Sequence, residues 1–259
     1  MITIVTPSFN SANYVKLQYE RLKPILSEKI RWLIIDDYSV DNTLEYVKEF
    51  QSPFVECHRL GANGGPSKAR YLGVSLAQTE YVFFLDADDL LLNNVFLDFL
   101  DFVISDNNRF DYFFAPTYAT NCIPSGNDIN FKPINDCVII RNPCDFLYHS
   151  MPNFSSLAVK RTFFTSYIKE NNLPWGEDIV SYLLMGNYGV GVKWIKPVSC
   201  YIITGNGRGS SLSLNNRMRL FYTLIKESLV APRKMTSILF SCYIIGRYLC
   251  SYLYKKIRG

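Results

Sequence analysis

Short apolar runs that alternate with longer stretches of helical period constrain this chain most. Ile2–Thr6, Trp32–Asp36, Val55–Arg59, Tyr81–Leu85 and Tyr112–Pro116 read as strands. Helices read between them at about Ala12–Leu26, Asn42–Phe50, Pro66–Leu76 and Asn94–Ile104, with Pro66 suited to a first helical turn. Nearly continuous apolar strands separated by helices predict a mostly parallel sheet covered on both faces. In such open α/β sheets ligands gather at the carboxyl ends of the strands, so the residues that follow each run are the ones to inspect.

Those residues are acidic, small or glycine-rich. Thr6-Pro7-Ser8-Phe9-Asn10 follows the first run, Asp36-Asp37-Tyr38-Ser39-Val40-Asp41-Asn42-Thr43 closes the second, and Asp86-Ala87-Asp88-Asp89 follows the fourth. After the third comes Gly61-Ala62-Asn63-Gly64-Gly65-Pro66-Ser67-Lys68-Ala69-Arg70, where backbone can approach a ligand closely and a helix N-terminus with Lys68 and Arg70 predicts an anion. No G-x-G-x-x-G follows the first strand and no G-x-x-x-x-G-K-[ST] occurs, which removes the usual support for dinucleotide and P-loop sites. Asp86 and Asp88, two apart on extended backbone, can face one divalent cation and a diphosphate it bridges. The competing reading makes Asp88 and Asp89 first-turn acids of the next helix.

Taken in order, these segments and Gly176-Glu177-Asp178 resemble family-2 glycosyltransferases of the GT-A fold, inverting enzymes of bacterial surface-polysaccharide type. The likeness covers residues 1 to about 215. It implies a GT-A-like, Rossmann-like domain with a donor half of about 1–116 and an acceptor half of about 117–215. It further implies a nucleotide-sugar donor, a UDP-sugar, and a saccharide or lipid-linked acceptor. Thr6 and Asp37, with Pro7 beside them, would hold the nucleobase, and Arg70 would approach the nucleotide. Asp86, Ala87 and Asp88 would place ribose, diphosphate and Mn²⁺ or Mg²⁺, with Asp88 the closer metal ligand and Asp86 the second. Asp178 falls at the position of the catalytic base, and Glu177 is expected to point elsewhere.

The second half is less regular. Ala119–Asn135 reads as a loop or hairpin insertion, Phe154–Lys160 as a returning strand and Ile179–Asn187 as a helix. Thr204–Ser213 is glycine-rich and reads as a loop. Relatives close such a loop over the donor, which implies that Arg208 contacts the diphosphate; His58 and His149, the only histidines, fall outside it and read as structural. Trp175 is open between a sugar-stacking and a core role.

Charge divides the chain. Residues 1–216 hold 18 Lys/Arg and 22 Asp/Glu, whereas residues 217–259 hold 9 and 1. In Ile238–Leu253 the residues Leu239, Cys242, Ile245, Leu249 and Leu253 share one helical face, and Tyr243, Arg247, Ser251 and Lys255 another. Residues 216–259 therefore read as a basic amphipathic helical extension in peripheral contact with an anionic membrane; the competing reading packs it on the domain or on a second subunit. Spanning is disfavoured, because Arg247 at the bilayer centre costs roughly 2.5–3.5 kcal/mol. No nucleic-acid partner is implied, and oligomeric state is left open. Seven cysteines without a C-x-x-C pair, and an N-terminal run too short for a signal segment, predict a cytoplasmic protein on the inner face of the cell membrane. A sugar-1-phosphate nucleotidyltransferase and a non-catalytic nucleotide-sugar binding protein are the alternatives. The first should carry a Gly-rich basic loop where this chain has Ser8-Phe9-Asn10, and the second has no need of Asp178.

Overall fold

A computed structural model describes residues 1–120, 137–149, 151–171, 173, 175–202 and 213–258. Strand β1 (Ile2–Ser8) lies between β2 (Ile30–Asp36) and β4 (Tyr81–Phe84), parallel to both, and β3 (Val55–Arg59) extends the sheet beyond β2 in parallel. On the other side β9 (Leu157–Lys160) runs antiparallel between β4 and β6 (Tyr112–Phe114). The sheet then continues through β10 (Gly191–Lys193), parallel to β6, to an antiparallel β8 (Val138–Ile140), in the order β3-β2-β1-β4-β9-β6-β10-β8. A small second sheet joins β5 (Asp89–Leu91), β11 (Ser199–Ile202) and β7 (Thr117–Thr120). The mostly parallel architecture expected from the alternating runs is therefore present, with one reversed strand at its centre.

Each buried strand feeds two cores, because successive side chains point to opposite faces. Ile2, Ile4, Trp32, Ile34 and Phe83 pack with α1 (Ala12–Leu22), α2 (Thr43–Lys48) and α4 (Asn93–Ile104). Val5, Leu33, Ile35, Val82 and Phe84 pack with α3 (Gly65–Leu76), α6 (Arg161–Tyr167), α7 (Glu177–Tyr188) and the C-terminal helices. Strand β3 departs from the continuous apolar pattern. Glu56, His58 and Arg59 are exposed at the sheet edge, where charged residues discourage pairing with another chain.

A short α5 (Pro143–Tyr148) starts in a capping box between Asn142 and Asp145. Helices α8 (Leu214–Val230) and α9 (Lys234–Arg258) form an antiparallel pair that packs on α5 and α7. The inward face of α9 is not the one its apolar periodicity suggests. Ser237, Phe240, Ser241 and Ile244 are buried, whereas Leu239, Leu249 and Leu253 are exposed and Ile245 is half-buried. Ser228 and Ser241 join their hydroxyls at 2.8 Å, Ser237 donates to Asn187 Oδ1 at 2.7 Å, and Arg233 donates to the α7 carbonyls of Gly186 and Asn187 at 2.8 and 2.6 Å. These bonds satisfy the last carbonyls of α7 and tie the helix pair to the domain.

Candidate active site

An open cleft of about 480 Å³ lies outside the carboxyl ends of β1 and β4, where the strand order changes direction. Its wall gathers Pro7 to Ser11 and Tyr14, then Asp37, Asn63, Gly65, Pro66, Arg70, Asp86, Ala87, Asp88 and Glu177. Of the residues expected from sequence, Pro7, Asp37, Arg70, Asp86, Ala87 and Asp88 meet there.

Thr6 does not. Alternation along β1 turns its side chain into the core below α1, where its hydroxyl is fully buried and accepts from Trp32 Nε1 at 2.9 Å. A side-chain contact from Thr6 to a nucleobase is thereby excluded. Arg208 lies outside the described residues, as do most of the expected 119–135 insertion and nearly all of the Thr204–Ser213 loop. Trp175 packs edge-on against Tyr248, with ring centroids 4.7 Å apart, and is a core contact off the cleft wall. Neither histidine reaches the cleft: His58 faces Glu56, and the His149 carbonyl accepts from Lys193 Nζ.

The loops after β1 and β2 clasp each other. Asn10 N donates to Ser39 Oγ and Asn10 Oδ1 accepts from Val40 N, both at 2.9 Å. Asn10 and Tyr38 adopt φ of 50° and 67°, a strain that is tolerable for Asn and held for Tyr38 by the surrounding contacts, with its ring 4.7 Å from the Arg59 guanidinium. The Gly-rich turn does meet an anion, and it is the protein's own. Gly64 N and Gly65 N donate to the two oxygens of Asp37 at 2.6 and 2.8 Å, and Gly65 supplies the φ of +82° that the turn requires. Lys68 is exposed and off the wall.

The Asp86–Asp89 turn is fixed from beneath. Gln18 Nε2, at a core position of α1, donates to the carbonyls of Asp86 and Asp89 at 2.7 and 2.8 Å. Asp86 N donates to the buried Ser155 hydroxyl at 2.8 Å, and Asn153 Nδ2 approaches Asp89 Oδ2 at 3.4 Å. Burial first, then the neighbouring Asp86, pushes the Asp89 carboxyl up to about 8. Asp88 is exposed at the cleft wall, so it is not consumed as a buried cap.

Arg70 holds the centre. Its Nη2 meets Asp86 Oδ1 at 2.7 Å, its Nη1 meets Glu177 Oε1 at 3.2 Å, and its guanidinium lies 4.5 Å from the Phe154 ring. Burial opposes the charge, but Asp86 and Glu177 together outweigh it and hold the Arg70 pKa above its ordinary value. Glu177, which the sequence suggested would point elsewhere, is therefore on the cleft wall, whereas Asp178, the expected base, is half-buried beside it and does not line the cleft. Gly176, at φ +80°, sets this turn, and a Cβ added there would fall 2.8 Å from Leu220 Cδ2 of α8. Burial, then Glu177, raises the Asp178 carboxyl to about 6, against a hydrogen bond from Ile179 N at 2.8 Å.

Gln18, Ser155 and Glu177 were missed by sequence reasoning. Gln18 carried a signal: it sits among Val15, Tyr19 and Leu22 on the apolar stripe of α1, and a polar residue on such a stripe needs a buried partner.

The sequence model described as Glycosyl transferase family 2 matches residues 3–131. The minor teichoic acid biosynthesis protein GgaA of Bacillus subtilis (strain 168) is 29% identical over 137 residues, which is 50% of this chain and 30% of GgaA. The chain thus spans less than a third of that relative's length. Among solved structures, S. aureus TarS 1–349 in complex with UDP superposes with a TM-score of 0.73 at 17% identity, covering 96% of this chain and 72% of that one. The mannosyltransferase PcManGT from Pyrobaculum calidifontis, in complex with GDP-Man and Mn²⁺, gives 0.57 at 15% identity, covering 93% and 68%. At these identities the two structures establish the fold, a GT-A α/β sheet with helices at its C-terminal end.

Proposed function

Because the chain belongs to glycosyl transferase family 2, we propose that it transfers a sugar from a UDP-sugar to an acceptor hydroxyl, with inversion, in the assembly of a surface polysaccharide. One observation carries this reading. Asp37, Arg70 and the pair Asp86 and Asp88, from three separate segments, converge on a single cleft at the strand ends with Glu177, the first residue of α7, on its wall. The UDP bound to the TarS neighbour supports the donor, and the name of GgaA supports a cell-surface polymer as the setting.

The nucleobase lies beside Pro7 and Asp37, and Asp86, Ala87 and Asp88 take the ribose and diphosphate. Among the described residues no group of three or more His, Cys, Asp or Glu could hold a metal by itself. Asp86 and Asp88, both carboxylates at the cleft wall, would hold a hard divalent cation. Mn²⁺ or Mg²⁺ there would supply neutralising charge to the departing diphosphate. Arg70 stays cationic and orients Asp86, and Arg208 is assigned to the diphosphate. Asp178 takes the proton from the acceptor oxygen as that oxygen attacks the face of the anomeric carbon opposite the leaving group. A carboxylate near 6 is a stronger base than an ordinary one and is still ionised at neutral pH. The acceptor is a lipid-linked saccharide, met by a cytoplasmic protein peripheral to the inner membrane face through its C-terminal helices. We take residue 215 as the boundary between the transferase domain and that extension.

Incubation with UDP-sugars and Mn²⁺ tests the reading. Slow release of UDP supports it, whereas release of UMP or no turnover overturns it. Calorimetry tests the metal: Mn²⁺ should tighten UDP binding in the wild type, and Asp88→Asn should lose most of that gain because an amide removes both charge and a ligand oxygen.

A further inference from the structure

The outward side of the α8–α9 pair is apolar. On α8 the buried residues Leu224 and Ser228 are each followed by an exposed one, Ile225 and Leu229, and Met218 and Tyr222 extend the same stripe at 52% and 70% exposure. On α9 the exposed Leu249 follows the inward Tyr248, and Leu239 and Leu253 continue that line at 58% and 54%. One residue turns about 100° around a helix axis. The helices are antiparallel, since Ser228 meets Ser241 while Arg217 Nη1 donates to the Tyr248 carbonyl, so the two turns have opposite hands in a common frame. Both stripes therefore come round to the side facing away from the sheet, where they form one ridge. Contiguous exposed apolar surface of this kind marks an interaction site.

Charge selects the occupant. Residues 217–259 carry nine Lys/Arg and one acid, Glu227, whose carboxylate is paired with Lys169 at 3.6 Å. Arg219, Lys226, Lys234 and Arg247 are exposed on the same two helices. A second copy docked ridge to ridge would meet this surface with like charge, while a layer of phosphates would complement it. No described helix is long and apolar enough to cross a membrane.

We propose that the ridge docks flat on an anionic lipid surface. Met218, Tyr222 and Ile225 of α8 and Leu239, Leu249 and Leu253 of α9 enter the headgroup layer, and the four exposed cations meet lipid phosphates. This rests on the reading of the acceptor as lipid-linked and deepens it. The same helices hold the turn that carries the base: Leu220 packs on Gly176, and Tyr248 on Trp175. A bilayer under the ridge is then one helix layer from Asp178. Apolar insertion and polybasic attraction together provide the two signals that stable anchoring requires.

The test is flotation of the full chain with phosphatidylcholine vesicles and with vesicles containing phosphatidylglycerol, with UDP release measured on the same samples. Binding should require phosphatidylglycerol and weaken as salt is raised. Lys226→Glu with Lys234→Glu should lower partitioning by at least about five-fold per site, the equivalent of ~1 kcal/mol for each basic residue near the surface. Ile225→Ser with Leu239→Ser should also release the protein. Both pairs should keep wild-type melting temperature and UDP release, since these side chains are exposed and remote from the cleft. Equal binding to both vesicle types, no binding, or wild-type binding by either pair overturns the proposal. So does a dimer that the same variants dissociate. UDP release without vesicle binding removes the docking surface and leaves the transferase reading in place; vesicle binding without UDP release does the reverse.

Discussion

The N-terminal half and the C-terminal half of this protein are built by different rules. Up to Phe114 the parallel core strands are buried and their helices follow at short range, so local periodicity and position agree. Beyond it, β9 enters antiparallel between β4 and β6, and α9 buries serines while exposing leucines. Where each element is covered on both sides, its own pattern declares its place. Where an element is covered on one side only, as α9 is, its neighbours decide which face is inside. The site straddles this division, with the proposed donor contacts from the first half and the candidate base from the second.

The largest expected effect tests that division at Asp178. Asp178→Asn should lower transfer by about 10²–10⁴-fold, the usual range for general-base catalysis, and leave UDP affinity nearly unchanged. Its stability should move the other way from a lost cap. The folded pKa of about 6 lies above the ordinary aspartate value of 3.8, so the stability this group contributes is present below about 3.8 and is lost as pH rises through about 6. At pH 7.5 the charge is a burden that Asn relieves, and the variant should melt no lower than the wild type. The wild-type rate should fall about tenfold per pH unit below about 6, as the base takes up a proton. Near-normal turnover in the variant, or a rate flat down to pH 5, would remove Asp178 from the role. Glu177→Gln cannot serve as a silent control, because Glu177 pairs with Arg70 on the cleft wall; it should weaken UDP binding.

A smaller effect is expected on the donor side. Gln18→Met keeps volume but leaves the carbonyls of Asp86 and Asp89 without their buried donor, a loss of about 1–3 kcal/mol in stability. UDP affinity should fall several-fold as the aspartate turn loosens, while the pH dependence of the rate stays as in the wild type. If UDP binding is untouched in calorimetry, the aspartate turn is rigid without Gln18.

Legibility followed the same division. The strand-end aspartates, the Gly-rich turn and the mostly parallel sheet could be placed from spacing, because backbone alternation and strand burial are local facts. Thr6 shows the limit: its segment was identified, but whether the side chain points to ligand or to Trp32 depends on which face of β1 meets α1. Glu177 and Asp178 show another, since adjacent residues on a helix diverge by about 100° and spacing alone did not tell that Glu177 would stand on the cleft wall. For α9 the apolar stripe was legible and its direction was not. The inward face is specified by hydroxyl pairs such as Ser228 with Ser241, which no apolar pattern reports.

Those hydroxyls give the last and smallest prediction. Ser228 Oγ donates to the Ser237 carbonyl at 3.0 Å and shares a 2.8 Å bond with Ser241 Oγ, and both side chains are buried. Ser228→Ala leaves the Ser241 hydroxyl with only its long 3.4 Å bond to the Leu224 carbonyl, so the cost should exceed that of removing both. A buried hydroxyl left unsatisfied costs about 1–3 kcal/mol, whereas the double variant Ser228→Ala with Ser241→Ala replaces the pair by apolar surface of similar shape. The single variant should therefore melt lower by a few degrees, roughly 2–4 °C for each 1 kcal/mol in a chain of this size, and the double variant should recover part of the loss. Neither should change UDP affinity, because among the described residues none of the helix pair lines the cleft. If UDP binding falls in step with melting temperature, the helices support the donor half as well, and the two regions are one cooperative unit.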